Sequence, residues 1–266
     1  MRKYIVAAAL LLTQGVSLAT DADTLVIVQK KCATATSLPN GGRAECNIIS
    51  ACPQTDNMQF NNSFATWLGE TAKMLSMPDA SSSLLLSSVE QMFYLNLKKE
   101  MASVTQSSKN QMPYNVAMDV EVRKMHEKKG FITFRQDWIY YSAQGSRSEI
   151  VRERTFLKTT GESPKWTDVI LPKRRTQFNK AVIAALEPFF GVRDLDNLKS
   201  KLKNGDAVSY QNFPLPAEGP CFESAGLRII YALDEIASSE VGHPSALIPY
   251  SSIMSCLTSY AKKQIK

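Results

Sequence analysis

The sequence predicts an α+β fold: an antiparallel sheet with helices packed mainly on one face, in a single compact domain. Three observations predict it. Val116, Met118, Val120 and Val122 alternate with Asn115, Asp119, Glu121 and Arg123, the period of a half-buried strand. Phe60, Phe64, Trp67, Leu68, Thr71 and Leu75 recur at three- and four-residue spacing, the period of a helix with one buried face. No linker, internal repeat or low-complexity stretch divides these elements.

The elements follow in order. "DTLVIVQ" (23–29) is rich in β-branched residues, "SLPNGGRAE" (37–45) is a turn, and "CNIISACP" (46–53) returns, which together read as a hairpin. The helix from Phe60 ends before Pro78. Ser81 to Ser83 cap a second helix, whose face is Leu84 to Leu86, Val89, Met92, Phe93 and Leu97. The strand at 116–123 turns at "EKKG" (127–130). Ile132, Phe134, Trp138 and Tyr140 form the next strand, and "EIVRERTFLKTTGE" forms a third after "SAQGS". Phe178, Val182, Ala185, Leu186 and Phe189 stripe a helix over Thr176 to Phe190, stopped by Gly191. A shorter helix runs from Asp194 to Leu202. "AVSYQNFPL", "GLRIIYAL" and "ALIPY" are short apolar runs, and a last helix spans Ser251 to Gln264.

The N-terminus carries a compartment signal. Arg2 and Lys3 precede the apolar run "YIVAAALLL" (4–12), and Ser17-Leu18-Ala19 offers a small-residue cleavage site. Residues 1–19 therefore read as a signal peptide, and 20–266 as the exported domain, periplasmic or extracellular. The apolar run is shorter than the roughly 20 residues a membrane span needs, and no span is expected after cleavage. Losing Arg2 and Lys3 takes the formal charge from +6 to +4. The basic residues as a set lack the aromatic interleaving of single-strand binders, and the densest basic run, "PKRRTQFNK" (172–180), opens a helix as a solvated face, so a nucleic-acid partner is not expected. In an exported chain Cys32, Cys46, Cys52, Cys221 and Cys256 read as disulfide candidates. Their clustering suggests one bridge among the first three and another joining Cys221 to Cys256. The odd count leaves at least one thiol over. No metal-ligand spacing accompanies them.

The sequence offers no recognisable catalytic constellation. It has no G-x-S-x-G elbow, H-E-x-x-H, G-x-G-x-x-G or P-loop. Of the two histidines, His126 sits at a polar strand end. His243 lies between Gly242 and Pro244, in a loop where its ring is expected to bond the backbone. Acid pairs such as Asp194 and Asp196, or Asp234 and Glu235, have the chemistry of a glycosidase pair, whose separation across a cleft sequence does not give. No catalytic residue, cofactor or metal is expected.

The C-terminal third carries a family likeness. Phe213 and Leu215 precede an apolar strand; Glu235-Ile236-Ala237, Gly242 and Ile248-Pro249-Tyr250-Ser251 follow. This order resembles the end of the RsiV-type extracellular domain, also attached to PdaC-like peptidoglycan deacetylases (domain of unknown function 3298). "FLKTTGESPKWTDVI" (156–170), "FNNSFATWL" (60–68) and "ISACPQ" (49–54) are similar to its earlier segments. The chain departs from the pattern at Gln144, where the family often has histidine, and at Asp234, where tyrosine is common. The resemblance implies an exported, non-enzymatic cell-envelope domain that binds a lysozyme-like protein or a peptidoglycan fragment. It marks Phe213, Glu235, Ile236, Gly242, Pro249 and Tyr250 as structural or ligand-binding residues. Physically they read as architecture: Gly242 permits positive φ, Pro249 marks a strand end, and Tyr250 buries a ring while its hydroxyl finds a partner.

Overall fold

The computed structural model describes residues 25–38, 41–75, 88–105, 115–143 and 145–265. The signal-peptide reading, Pro78, the Ser81 to Ser83 cap and Gln144 fall outside them. The chain is α+β, with a five-stranded sheet in the order β1(Val26–Ser37), β2(Arg43–Gln54), β3(Val116–Glu127), β4(Phe131–Tyr141), β5(Arg147–Leu157). Two compact units share the described residues, within Met1–Arg123 plus Gln136–Ile150, and Lys124–Arg135 plus Val151–Lys266.

In the first unit β1 and β2 form the expected antiparallel hairpin, from Val26 opposite Gln54 to Ser37 opposite Arg43. The expectation of an antiparallel sheet is corrected at the next ladder: β2 and β3 are parallel, from Ala44 beside Val116 to Ser50 beside Val122. The reason lies in the connection. Helices α1(Met58–Met74) and α2(Val89–Thr105) both intervene, and so long a crossover returns the chain to the end it left. The two-residue alternation of β3 specifies which face is buried but carries no strand direction.

That alternation buries one face. Ala44, Cys46, Ile48 and Ser50 are buried on β2, beside the buried Val116, Met118, Val120 and Val122. The helices bond to side chains of the same face. Asn57 caps α1 by accepting the Phe60 N–H at 3.0 Å. The stripe of α1 then buries Phe60, Phe64, Trp67, Leu68 and Thr71. On β4, Gln136 is fully buried and satisfied from three sides. Its amide donates to Thr71 Oγ1 at 2.6 Å and to the Trp67 carbonyl at 3.4 Å, and its Oε1 accepts the Trp138 indole N–H at 2.8 Å. From α2, Tyr94 donates to Thr34 at 3.0 Å and Asn96 to Tyr140 at 3.3 Å.

The second unit holds the ends of β3–β5, a three-stranded sheet β6(Cys221–Phe222), β7(Gly226–Ile230), β8(Ser245–Pro249), and the remaining helices. The helices are α3(Trp166–Val169), α4(Arg175–Phe190), α5(Leu195–Lys199), α6(Tyr250–Ile253) and α7(Ser259–Ile265). The stripe of α4 supplies Phe178, Val182, Ile183 and Leu186 to a core shared with Phe131, Phe213, Phe222, Leu227, Ile229, Tyr231 and Ile248. The helix expected over Ser251 to Gln264 is broken. Leu257 bridges Ile170 in extended pairing, and Thr258 donates its N–H to the Val169 carbonyl at 2.9 Å. Its hydroxyl donates to the Asp168 carbonyl at 2.6 Å and accepts the Ala261 N–H at 3.1 Å, so it both interrupts one helix and starts the next. Tertiary pairing outweighs local propensity there.

Gln136 gives a direct test of the first unit. Gln136→Ala strands the Trp138 indole N–H and empties volume, and is expected to lower unfolding stability by about 2–4 kcal/mol. Urea denaturation followed by tryptophan fluorescence measures it.

Candidate functional site

The residues marked by the C-terminal likeness gather in the second unit, and each has a structural partner. Phe213 is fully buried, and its carbonyl accepts from Arg175 at 3.2 Å. Both carboxylate oxygens of Glu235 are taken by backbone: the Ala217 N–H on Oε1 and the Ala232 N–H on Oε2, each at 2.7 Å. One side chain thereby ties two loops. Ile236 is buried, and its carbonyl accepts the Lys203 N–H at 2.8 Å. Gly242 sits at φ +82°, with open space where a Cβ would point, so backbone conformation rather than crowding calls for glycine. Pro249 ends β8 and caps α6. Tyr250 donates its hydroxyl to the Glu223 carbonyl at 2.9 Å, and burial pushes its ionisation upward.

His243 is held by backbone at both ring nitrogens. Nε2 accepts the Val151 N–H at 3.2 Å, and Nδ1 lies 3.1 Å from the Tyr231 carbonyl. Since a carbonyl only accepts and an N–H only donates, these two partners suit the tautomer that carries its N–H at Nδ1. His126 packs its ring on Phe131 at 5.7 Å. Burial and then the Lys128 charge lower its pKa, against the pull of Glu223 and Glu127.

The acids singled out from sequence do not converge. Asp194 caps α5 by accepting the Asn197 N–H at 2.8 Å, while Asp196 is exposed beside Lys199. Asp234 lies at φ +64° and pairs with Lys203 at 2.7 Å, which with the Ser239 N–H holds its carboxyl below the usual range. The expected disulfide bridges are not formed; all five cysteines are free. In register Cys32 faces Ile48, Cys46 faces Thr34 and Cys52 faces Val28, so no cysteine of the hairpin lies opposite another. Cys32 donates to Glu90 at 3.4 Å, and burial pushes the Cys46 thiol up to about 12. Cys221 donates to the Glu153 carbonyl at 2.9 Å, whereas Cys256 is buried where its carbonyl accepts the Leu171 N–H. Among the described residues no three His, Cys, Asp or Glu side chains are placed to hold a metal, and no helix is long and apolar enough to cross a membrane.

The structure brings together a different group, around β5. Two threonines first fix β6 upon β4 and β5. Thr133 Oγ1 donates to the Phe222 carbonyl at 2.7 Å, Thr155 Oγ1 accepts the Phe222 N–H at 2.9 Å, and the two hydroxyls meet at 2.7 Å. This places Glu223, just past β6, near Glu153 on β5. Arg228, on β7, turns its guanidinium to Glu223, through Nε to Oε1 and through Nη2 to Oε2 at 3.3 Å. Its Nε stays 4.0 Å from Glu153 Oε2, too far for a hydrogen bond. Glu153 is 0% exposed, and neither carboxyl oxygen receives a donor. Burial first, then the Glu223 charge, raises its pKa to about 8, against Arg228 and Arg135. The neighbouring Arg152 and Arg154 pair with Glu218, each at 2.6 Å. Sequence reading missed this group because Glu153 and Glu223 lie in different strands' neighbourhoods. The only local hint was a strand, "IVRERT", with charge at three successive positions.

Glu235→Ala removes both loop ties at once and is expected to cost about 2–3 kcal/mol of stability. Tyr250→Phe, which loses one hydroxyl donor, is expected to cost about 1 kcal/mol, and chemical denaturation of both variants ranks them.

No family model and no curated protein matches the chain. Solved structures do. A DUF3298 family member from Bacteroides fragilis superposes with a TM-score of 0.65 at 12% identity, over 93% of this chain and 99% of that one. A DUF3298 family protein from Pseudomonas aeruginosa gives 0.53 at 10% identity, over 91% and 98%. The fold of this chain is the fold of those DUF3298 structures.

Proposed function

We propose that the chain is an exported, non-enzymatic cell-envelope domain of the RsiV/PdaC-like kind that binds a lysozyme-like protein or a peptidoglycan-derived ligand. The observation that carries the reading is the use made of the C-terminal motif. Glu235 spends both oxygens on backbone N–H groups, and Tyr250 spends its hydroxyl on a backbone carbonyl. His243 has a backbone partner at each nitrogen. Side chains committed in this way shape loops and leave recognition to the surface those loops present. The likeness of the motif to the RsiV-type domain supplies the ligand class, and the fold is that of the DUF3298 structures.

A glycan-processing enzyme with an acidic pair is the second reading, and Glu153 with Glu223 is the observation that favours it. One carboxyl with a raised pKa beside one paired with arginine is the division of labour such chemistry uses. Against it stands the burial of Glu153, since a glycosidase acid must touch the sugar oxygen it protonates.

Two measurements separate the readings. Purified protein mixed with lysozyme at tens of micromolar is expected to co-elute in gel filtration, and Glu153→Gln is expected to leave that complex intact. Soluble peptidoglycan fragments added to the wild type are expected to remain uncleaved. Absence of a complex removes the lysozyme-binding version; cleavage abolished by Glu153→Gln or Glu223→Gln establishes the enzyme.

A further inference from the structure

We infer that Glu153 is kept as the carboxylic acid in the folded second unit, and that the grip of the β6–β7 hairpin on β5 therefore weakens as pH rises from acid to mildly alkaline. The inference stands independently of the proposed ligand. Its basis is the geometry around Glu153. As a carboxylate, this side chain sits in a fully buried position with no donor on either oxygen. As a carboxylic acid it has a donor of its own, and the Glu223 carboxylate is close enough to share the reach of Arg228 Nε, which is bonded to Glu223 and 4.0 Å from Glu153. Arg228 does not substitute for the proton: its Nε is turned to Glu223 and stays 4.0 Å from Glu153, and no donor reaches either Glu153 oxygen.

The groups facing Glu153 come from every neighbouring strand. Glu223 follows β6 and disfavours a second negative charge. Arg228 on β7 and Arg135 on β4 favour it, and neither Glu153 oxygen accepts a hydrogen bond. Cys221 on β6 points its thiol at the Glu153 carbonyl, and burial keeps that thiol protonated well beyond the ordinary range. Arg152 and Arg154 flank Glu153 in sequence but pair with Glu218. Charging Glu153 therefore sets two carboxylates against each other, with the Arg228 fork bound to only one of them, where β6 meets β5.

The direction with pH follows from linkage. Unfolded, Glu153 releases its proton near 4.5; folded, it holds it to about 8. In between, the folded state carries one more proton than the open state, so stability falls as pH rises through this window. The loss is absent below about 4.5 and complete above about 8. His126 has the opposite sign, since its lowered pKa makes folding release a proton on the acid side. A variant at Glu153 separates the two.

The reporter is the Phe222 amide, whose N–H donates to Thr155 Oγ1. Hydrogen-exchange protection at this amide, corrected for intrinsic rate, is expected to fall about tenfold per pH unit between roughly pH 5 and 8 in the wild type. In Glu153→Gln, whose amide does not ionise, protection is expected to stay level. Equal slopes in the two proteins overturn the inference. Infrared difference spectra of the wild type, titrated from about pH 6 to 9, give a test that needs no variant. A protonated carboxyl band that bleaches across this range is expected, and its absence at about pH 6 overturns the inference equally.

Discussion

The second unit is organised around a constraint on one strand: β5 buries ionisable side chains on both of its sides. Arg152 and Arg154 point one way and Glu153 the other, and none of them can be surrounded by water where they lie. An isolated buried charge is far too costly to leave alone, so each side of the strand dictates what must approach it. Glu218 is drawn beneath the two arginines. On the other side, Glu223 and Arg228 arrive together on a hairpin whose position the Thr133 and Thr155 hydroxyls have already set. Polar satisfaction, rather than shape alone, thus determines where β6 and β7 meet β5. The one group it leaves short is Glu153.

The C-terminal motif is an extension of the same economy. Tyr250 holds the carbonyl of Glu223, so the loop that looked like a candidate site is bonded to the residue that pairs with Arg228. Glu235 closes the loops at Ala217 and Ala232, next to Glu218 in sequence. Recognition by such a domain would depend on loop shape, and loop shape here depends on a few buried or half-buried acids.

Much of the fold was legible because periodicity survives translation into structure. The stripe from Phe60 to Thr71 is the buried face of α1, and that from Phe178 to Leu186 is the buried face of α4. The Val116 to Val122 alternation is the buried face of β3. What periodicity does not carry is direction and distance. The parallel pairing of β2 with β3 follows from where two helices return the chain, and no residue of β3 encodes it. The break at Thr258 reflects a bond to Val169 some ninety residues away in sequence. The site was the least legible part for the same reason. Asp234 and Glu235 are adjacent in sequence yet serve separate local bonds, whereas Glu153 and Glu223 are remote in sequence and adjacent in space.

The parallel ladder also bears on how the chain reaches this structure. The β1–β2 hairpin closes through a short turn and needs only local contacts, which form in microseconds. Pairing Ala44 with Val116 instead requires the chain to close a loop containing both helices before the first hydrogen bond compensates for the lost entropy. Until then β2 exposes an unpaired edge with Cys46 and Ile48 uncovered. Of the two ladders it is this one, not the hairpin, that carries the larger loop-closure cost, and the buried face of β2 at Cys46 and Ile48 is completed only with it.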